Sequence, residues 1–431
     1  MTKTSRRTAL TGLSAGLAAM TALSGAAYAQ SINLSLLIDN GPQTVPVFEA
    51  YVAAFEAANP DINIDIETRP GGGEGDNLVK TRLATGTMAD IFTYNSGSLF
   101  QAINPQQNLL PLTGEPWQDD VQDSFKSVVM AGGEVYGAPY ASAMGGGILY
   151  NIPIYKELGL EVPKTWDEFM ANNEKIKAAG KVAVIQTYAD TWTSQLFVLA
   201  DYYNVQAAVP NFAEEYTAGT AKYASTPAAM RGFEKLEEVN KAGYLNEDFG
   251  AATYNDGIRM VANGEGAHYP MLTFAVGAIA ETNPENLANV GFFAQPGETA
   301  DANGLTTWMP DSIYIPKTVT NEEAAKKFVA FVASPEACAI RNDTVGATGP
   351  YLVAGCTLPD DVPPAVSDML PYFAEGGQNG PALEFLSPIK GPALEQITVE
   401  VGSGIRPAAD GAALYDEDVR KQAQQLGLPG W

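Results

Sequence analysis

Apolar and polar positions trade places in two different rhythms over the first part of the chain. Ile32 to Ile38 reads as a strand followed by the polar turn Asp39-Asn40-Gly41-Pro42-Gln43. Val47, Tyr51, Ala54, Phe55 and Ala58 then recur at helical spacing, and Asn59-Pro60-Asp61 ends that helix. Ile62, Ile64 and Ile66 alternate with polar residues as a second strand that enters the glycine-rich stretch from Pro70 to Gly75. A short helix over 77–83 and a third strand, Ala89-Asp90-Ile91-Phe92-Thr93-Tyr94, follow. Strands separated by helices predict βαβ units, a parallel sheet and an α/β fold class. Ligands of such sheets sit outside the carboxyl ends of the strands, which puts 39–43, 71–74 and 94–98 on one binding edge.

Later segments keep the alternation. Thr165 with Glu168 forms a capping box that opens a helix. Val182 to Gln186 reads as a strand, Trp192 begins a helix, and Ile313 to Ile315 is another strand. Asp119-Asp120 and Asp416-Glu417-Asp418 read as helix starts, where acids favour the positive end of the dipole. The run Gly71-Gly72-Gly73-Glu74-Gly75 lacks the lysine and the spacing of a phosphate loop, so it reads as a turn that lets backbone approach a ligand.

Composition narrows the function. The 431 residues carry 50 acids against 25 Lys and Arg, a formal charge of -25, which excludes nucleic acid as a partner because phosphate binding relies on cations. Residues 1–29 hold Lys3, Arg6 and Arg7, a mildly apolar stretch and Ala27-Tyr28-Ala29, the pattern of a cleaved secretory signal. Ser5-Arg6-Arg7 resembles a twin-arginine signal, with the Sec route open because Ala9 and Thr11 depart from that pattern. With no cysteine at the cleavage point, a free periplasmic protein without a lipid anchor is expected. Cys338 and Cys356 are permitted to pair in an oxidising compartment, and two buried thiols are the alternative. They cannot close a zinc site with the single, remote His268, which reads as a core histidine in an apolar strand; no metal and no cofactor is expected.

Leu149-Tyr150-Asn151 with Tyr155, Gly159-Leu160 and Pro163-Lys164-Thr165-Trp166-Asp167-Glu168-Phe169 resembles the carbohydrate-type extracellular solute-binding proteins of bacterial ABC importers, the group of the maltose-binding protein. Phe55-Glu56 with Asn59-Pro60, Leu83-Ala84-Thr85-Gly86 with Ala89-Asp90-Ile91, the run 261–267 and the run 321–328 agree with it in order and spacing. The resemblance implies two α/β lobes that close on a cleft by hinge bending. Gly137-Ala138-Pro139-Tyr140 resembles the first crossing between lobes. Lobes of 30–139 plus 271–316 and of 140–270 plus 317–431 are expected.

Sugar recognition needs flat aromatic faces against the ring and fixed donors and acceptors at its rim. Among 17 Phe, 19 Tyr and 5 Trp, position must decide. Asn40 and Gln43 follow the first strand, Glu74 stands in the glycine-rich run, Tyr94, Asn95 and Ser96 follow the third strand, and Tyr140 sits at the crossing. Asp190 and Trp192, Trp308 and Asp311, and Tyr351 after Gly349-Pro350 complete the candidates. Phe274 is expected to take the place of a tryptophan that the family commonly carries there. Tyr202-Tyr203 ends an apolar helical face and reads as packing.

The expected function is therefore capture of a di- or oligosaccharide by a monomeric binding protein that delivers it to an ABC permease, without catalysis. Two alternatives stand beside it: the same fold holding a polyamine or ferric ion, which an acidic cleft attracts, and a secreted glycoside hydrolase working with two carboxylates.

Overall fold

The computed structural model describes residues 31–431, and the signal segment expected over 1–29 falls outside them. Ile32–Asp39 pairs in parallel with Ile62–Arg69 on one side and with Ile91–Asn95 on the other. Asp311–Tyr314 and then Gly137–Pro139 extend this sheet in antiparallel sense. Alternation along the first strand explains why both faces are covered. Leu34, Leu36 and Ile38 pack under Val47, Phe48, Tyr51 and Phe55 of the helix Thr44–Ala58, together with Phe328 of the helix Glu322–Val332. Leu37 points the other way, into a cluster with Phe92, Phe100 and Tyr314.

A second sheet runs in the order Asn379–Pro381, Leu305–Trp308, Met144–Asn151, Gly266–Leu272, Val182–Val184, with Val290–Ala294 also on Met144–Asn151. Its central strand needs Gly145-Gly146-Gly147. A Cβ at Gly146 would lie 2.0 Å from the Trp308 ring, so the glycine is what lets that indole lie flat on the strand. The lobe limits expected from the sequence are corrected by these partners. Val290–Ala294 and Leu305–Trp308, expected in the first lobe, belong to the second sheet. Glu322–Val332 and Pro335–Val345, expected in the second, pack on the first. Strand order follows edge and face complementarity, which sequence order does not report.

The chain passes between sheets at 140–143 and 309–310, and returns in the stretch after Val345. Ser142 Oγ bonds Thr348 Oγ1 at 2.9 Å, Ala143 N donates to Pro350 O, and Ser96 N donates to Pro310 O, so the crossings are tied to their neighbours.

Several motifs behind the family resemblance turn out to hold the fold. Asn151 accepts from Ile154 N and caps the helix Ile152–Leu158 while its amide donates to Val261 O. Asn59 donates to Phe55 O, and Glu56 accepts from Ile64 N. Asp90 accepts from the backbone and hydroxyl of both Ser35 and Thr320, joining two segments of the first lobe. Thr165 and Glu168 make the expected capping box. His268 is buried between Tyr155 Oη at 2.7 Å and Asn173 Oδ1 at 2.8 Å, and burial pushes its pKa down to about 3. Tyr202 is buried and Tyr203 lies against Gly304, as packing residues. Two expectations fail. Asp119-Asp120 close the short turn Pro116–Asp120, and Asp416-Glu417-Asp418 lie inside the helix Ala408–Gln425, where Asp416 accepts from Tyr223 N and Ala224 N. Cys338 and Cys356 form a disulfide.

Candidate functional site

Between the two sheets lies a cavity of about 580 Å³. Its first wall is made by strand ends of the first sheet. Asn40 N donates to Arg69 O and Gly41 N to Asp39 Oδ1, so the turn after the first strand is fixed with Asn40 and Gln43 at the cavity. Arg69 donates to Pro70 O and Thr93 O and lies 5.9 Å from the centre of the Tyr94 ring. Burial, and after it the neighbouring Asp76 carboxylate, hold the Tyr94 phenol well above its ordinary pKa.

The opposite wall is aromatic. Trp192, Tyr254 and Phe274 form a three-ring patch with centroids 5.2, 6.0 and 5.8 Å apart. Tyr254 opens the helix Tyr254–Asn263, whose capping box pairs Thr253 with Asp256, and its backbone N–H donates to Asp190 Oδ2. Trp192 reaches across to Gly72. That residue has φ +65°, which favours glycine, and a Cβ on it would stand a tight 3.0 Å from the indole. The glycine-rich run thus admits a tryptophan of the other lobe at Gly72, and Gly71, Gly72 and Gly73 also line the cavity, where the sequence placed backbone close to a ligand.

Charge collects at the two ends. At one end Lys390 pairs with Glu384, which also accepts from the Trp308 indole N–H. Burial works against the Lys390 charge, but Glu384, Glu395 and Asp76 outweigh it and raise its pKa. At the other end stand Asp39, Asp311, Tyr140 and Arg341. Burial first, then the Asp39 charge, push Asp311 up to about 7, against the opposing pull of Arg341 and a hydrogen bond from Tyr140. Around the cavity Gln43 Oε1, Gln195 Oε1, Tyr254 Oη and Arg341 Nε are buried with no partner among the described residues. Such atoms are expensive to leave bare, and a polar ligand is what would satisfy them.

Of the residues singled out in the sequence, Asn40, Gln43, Tyr94, Asn95, Tyr140, Asp190, Trp192, Phe274, Trp308 and Asp311 line this cavity. Three do not. Glu74 is exposed in the first turn of the helix Gly72–Thr85, which starts earlier than the expected 77–83 and turns Asp76 inward in its place. Ser96 is buried and donates to Met309 O. Tyr351 sits behind the cavity, its hydroxyl bonded to Asn342 Oδ1 and Cys338 O. Sequence reasoning missed Tyr254, which its Thr253-x-x-Asp256 capping box could have placed at a helix mouth. It also missed Arg69, Asp76, Gln195, Arg341, Glu384, Lys390 and Glu395, whose neighbours along the chain carry no signal of a cleft. Among the described residues no helix is long and apolar enough to cross a membrane, and no group of three or more His, Cys, Asp or Glu gathers as for a metal.

A family described as bacterial extracellular solute-binding protein matches residues 41–338. The multiple sugar-binding protein of Streptococcus mutans is 27% identical over 293 residues, 66% of this chain and 67% of its own. The melibiose/raffinose/stachyose-binding protein of Bacillus subtilis is 24% identical over 67% of each chain. Among solved structures, a chitin oligosaccharide binding protein superposes with a TM-score of 0.79 at 22% identity, over 92% of this chain and all of its own. The binding protein RafE in complex with raffinose superposes at 0.74, also at 22% identity and with the same coverage. At that identity the structures establish the two-lobed fold.

Proposed function

Since the chain belongs to the bacterial extracellular solute-binding protein family, we propose that it captures a neutral di- or oligosaccharide between its lobes and delivers it to the membrane subunits of an ABC importer. The observation that carries this reading is the three-ring patch of Trp192, Tyr254 and Phe274 facing buried polar atoms that have no partner among the described residues. Sugar rings offer an apolar C–H face and a hydroxyl rim, and this cavity offers the complement of each. The cavity volume of about 580 Å³ and the charged groups at both ends suit more than one ring. Closure of the lobes on the ligand gives the permease a conformation to recognise, in proportion to how much better the closed form binds.

The expected location is the periplasm, free of a lipid anchor, after removal of residues 1–29. The residues proposed to touch the sugar are the ten cavity-lining candidates together with Tyr254, Gln195 and Arg341. The cavity is lined by Arg69, Lys80, Arg341 and Lys390 as well as by Asp39, Asp76, Asp190, Asp311, Glu384 and Glu395, so it offers a polyamine no uniformly negative surface.

Calorimetry of the mature protein against raffinose, maltotriose, cellotriose and chitotriose tests the reading, with chromatography of the mixture afterwards. Saturable binding of one of these sugars, recovered intact, is the expected result. Cleavage of the sugar, or stabilisation by spermidine or ferric citrate alone, refutes it.

A further inference from the structure

Arg341 is 2% exposed, reaches the cavity, forms no ion pair among the described residues, and leaves Nε without a partner. A guanidinium is seldom buried on such terms. Its surroundings show what the position is for. Asp39 closes Ile32–Asp39 and Asp311 opens Asp311–Tyr314, two strands of the first sheet, so both carboxylates stand at one edge of it. Arg341 comes from a third place, the helix Pro335–Val345, which the disulfide at Cys338 fastens to Cys356. Gln43 Oε1, also unpartnered, completes the corner.

From this juxtaposition we infer that Arg341, Asp311 and Asp39 form a specificity-determining subsite for two neighbouring hydroxyls on a terminal neutral sugar ring, and that they exclude acidic sugars from this end. The inference rests on the sugar-binding reading above and narrows it. Each hydroxyl can donate one hydrogen bond and accept others. A vicinal pair therefore donates to the carboxylates and accepts from the guanidinium, and all three buried groups are satisfied together. A uronate carboxylate would meet two carboxylates against one guanidinium, a net like-charge contact once Asp311 is ionised, in a site of low polarity where repulsion is strong.

The same arrangement has a consequence for protonation. The groups facing Asp311 are Arg341, Asp39, Tyr140 and Tyr51; Tyr51 also hydrogen-bonds to Arg341, and Tyr351 feels the same guanidinium. With Asp311 pushed up to about 7 in the empty cavity, a hydroxyl donating to it favours the ionised form and lowers the bound-state pKa. Affinity is then full above about 7 and is lost as pH falls through it. A bound-state pKa below 5 makes binding about 30-fold weaker at pH 5.5 than at pH 8.

The test takes the sugar of the raffinose, maltotriose, cellotriose and chitotriose panel that binds most tightly. It is compared at pH 8 with its derivatives bearing a uronate on either terminal ring, in wild type, Arg341→Gln and Asp311→Asn. Thermal unfolding of each empty protein runs in parallel. Wild type should reject the uronate by about tenfold or more at one terminus. Arg341→Gln should weaken the neutral sugar by about tenfold or more and deepen the rejection of the uronate. Asp311→Asn should relax rejection of the uronate and flatten the pH profile while leaving the unfolding temperature at or above wild type. A panel in which no sugar binds wild type overturns both the sugar reading and this inference. A wild type that binds the neutral sugar with a flat pH profile, or variants that keep affinity and selectivity within twofold, overturns the inference alone.

Discussion

Replacing Trp192 by alanine removes the middle of the aromatic wall, and its two consequences can be sized separately. An indole buries 150–250 Å² in full, and the half turned to the cavity amounts to roughly 100 Å². At about 25 cal/mol per Å² this face contributes about 2.5 kcal/mol to a stacked ring, or about 70-fold in affinity. The other half packs on Gly72 and makes the edges with Tyr254 and Phe274 at 5.2 and 6.0 Å. Losing two aromatic pairs costs about 1–3 kcal/mol of stability. Titration calorimetry gives the first quantity and urea unfolding of the empty protein the second. Trp192→Phe, which keeps a smaller platform, should fall between wild type and alanine in affinity. An alanine variant that binds within threefold of wild type while losing the expected stability would mean that Trp192 is only a packing residue, and the aromatic-wall argument would fail.

Other outcomes follow from the same coordinates. Cys338 and Cys356 are 18 residues apart, so the double serine variant should lose about 3 kcal/mol in urea unfolding, and sugar affinity should fall with it because Arg341 shares the fastened helix. A variant as stable as wild type contradicts this. The chain has a single histidine, so its imidazole gives one NMR resonance pair; with the pKa of His268 pushed down to about 3, that signal should not titrate between pH 8 and 5. Because the unfolded chain takes up this proton below about 6.5 and the folded one does not, His268 should withdraw about 2 kcal/mol of stability between pH 7 and 5. Titration near 6.5 in the folded protein disproves its burial. Lys235 and Asp201 form an ion pair buried in the second lobe, where Lys235 also donates to Pro296 O. Lys235→Met strands the aspartate and should cost about 3–5 kcal/mol by the same unfolding assay, and a loss under 1 kcal/mol would show that Asp201 finds another partner or a proton.

The residues that make the family recognisable and those that form the cavity are largely different sets. Asn151 caps a helix, Asp90 joins Ser35 to Thr320, and Asn59 and Glu56 close the end of the first helix on its neighbouring strand. These jobs are local or repeat wherever the fold repeats, so they leave fixed spacings in the sequence. The cavity was legible where a strand end delivers it, at Asn40, Gln43, Tyr94, Asn95 and Asp311, since the carboxyl edge of a parallel sheet follows from the strand pattern. Glu74 shows the limit of that logic. The loop was placed correctly, but the helix begins at Gly72, and one hundred degrees of rotation per residue put Asp76 at the cavity and Glu74 in solvent.

By itself the sequence determined the α/β class, the paired lobes with a cleft, the family, and most of the strand-end residues around the cavity, because periodicity, caps and turns are short-range and each is written in consecutive residues. Tertiary structure alone decided which lobe holds 290–308 and 322–345, that Gly72 lies against Trp192, and that Arg341 stands beside Asp311 with no ion pair among the described residues. Those facts depend on contacts between segments far apart in the chain and on what burial leaves without a partner. A buried guanidinium in mid-helix looks like any other arginine until the fold shows what surrounds it.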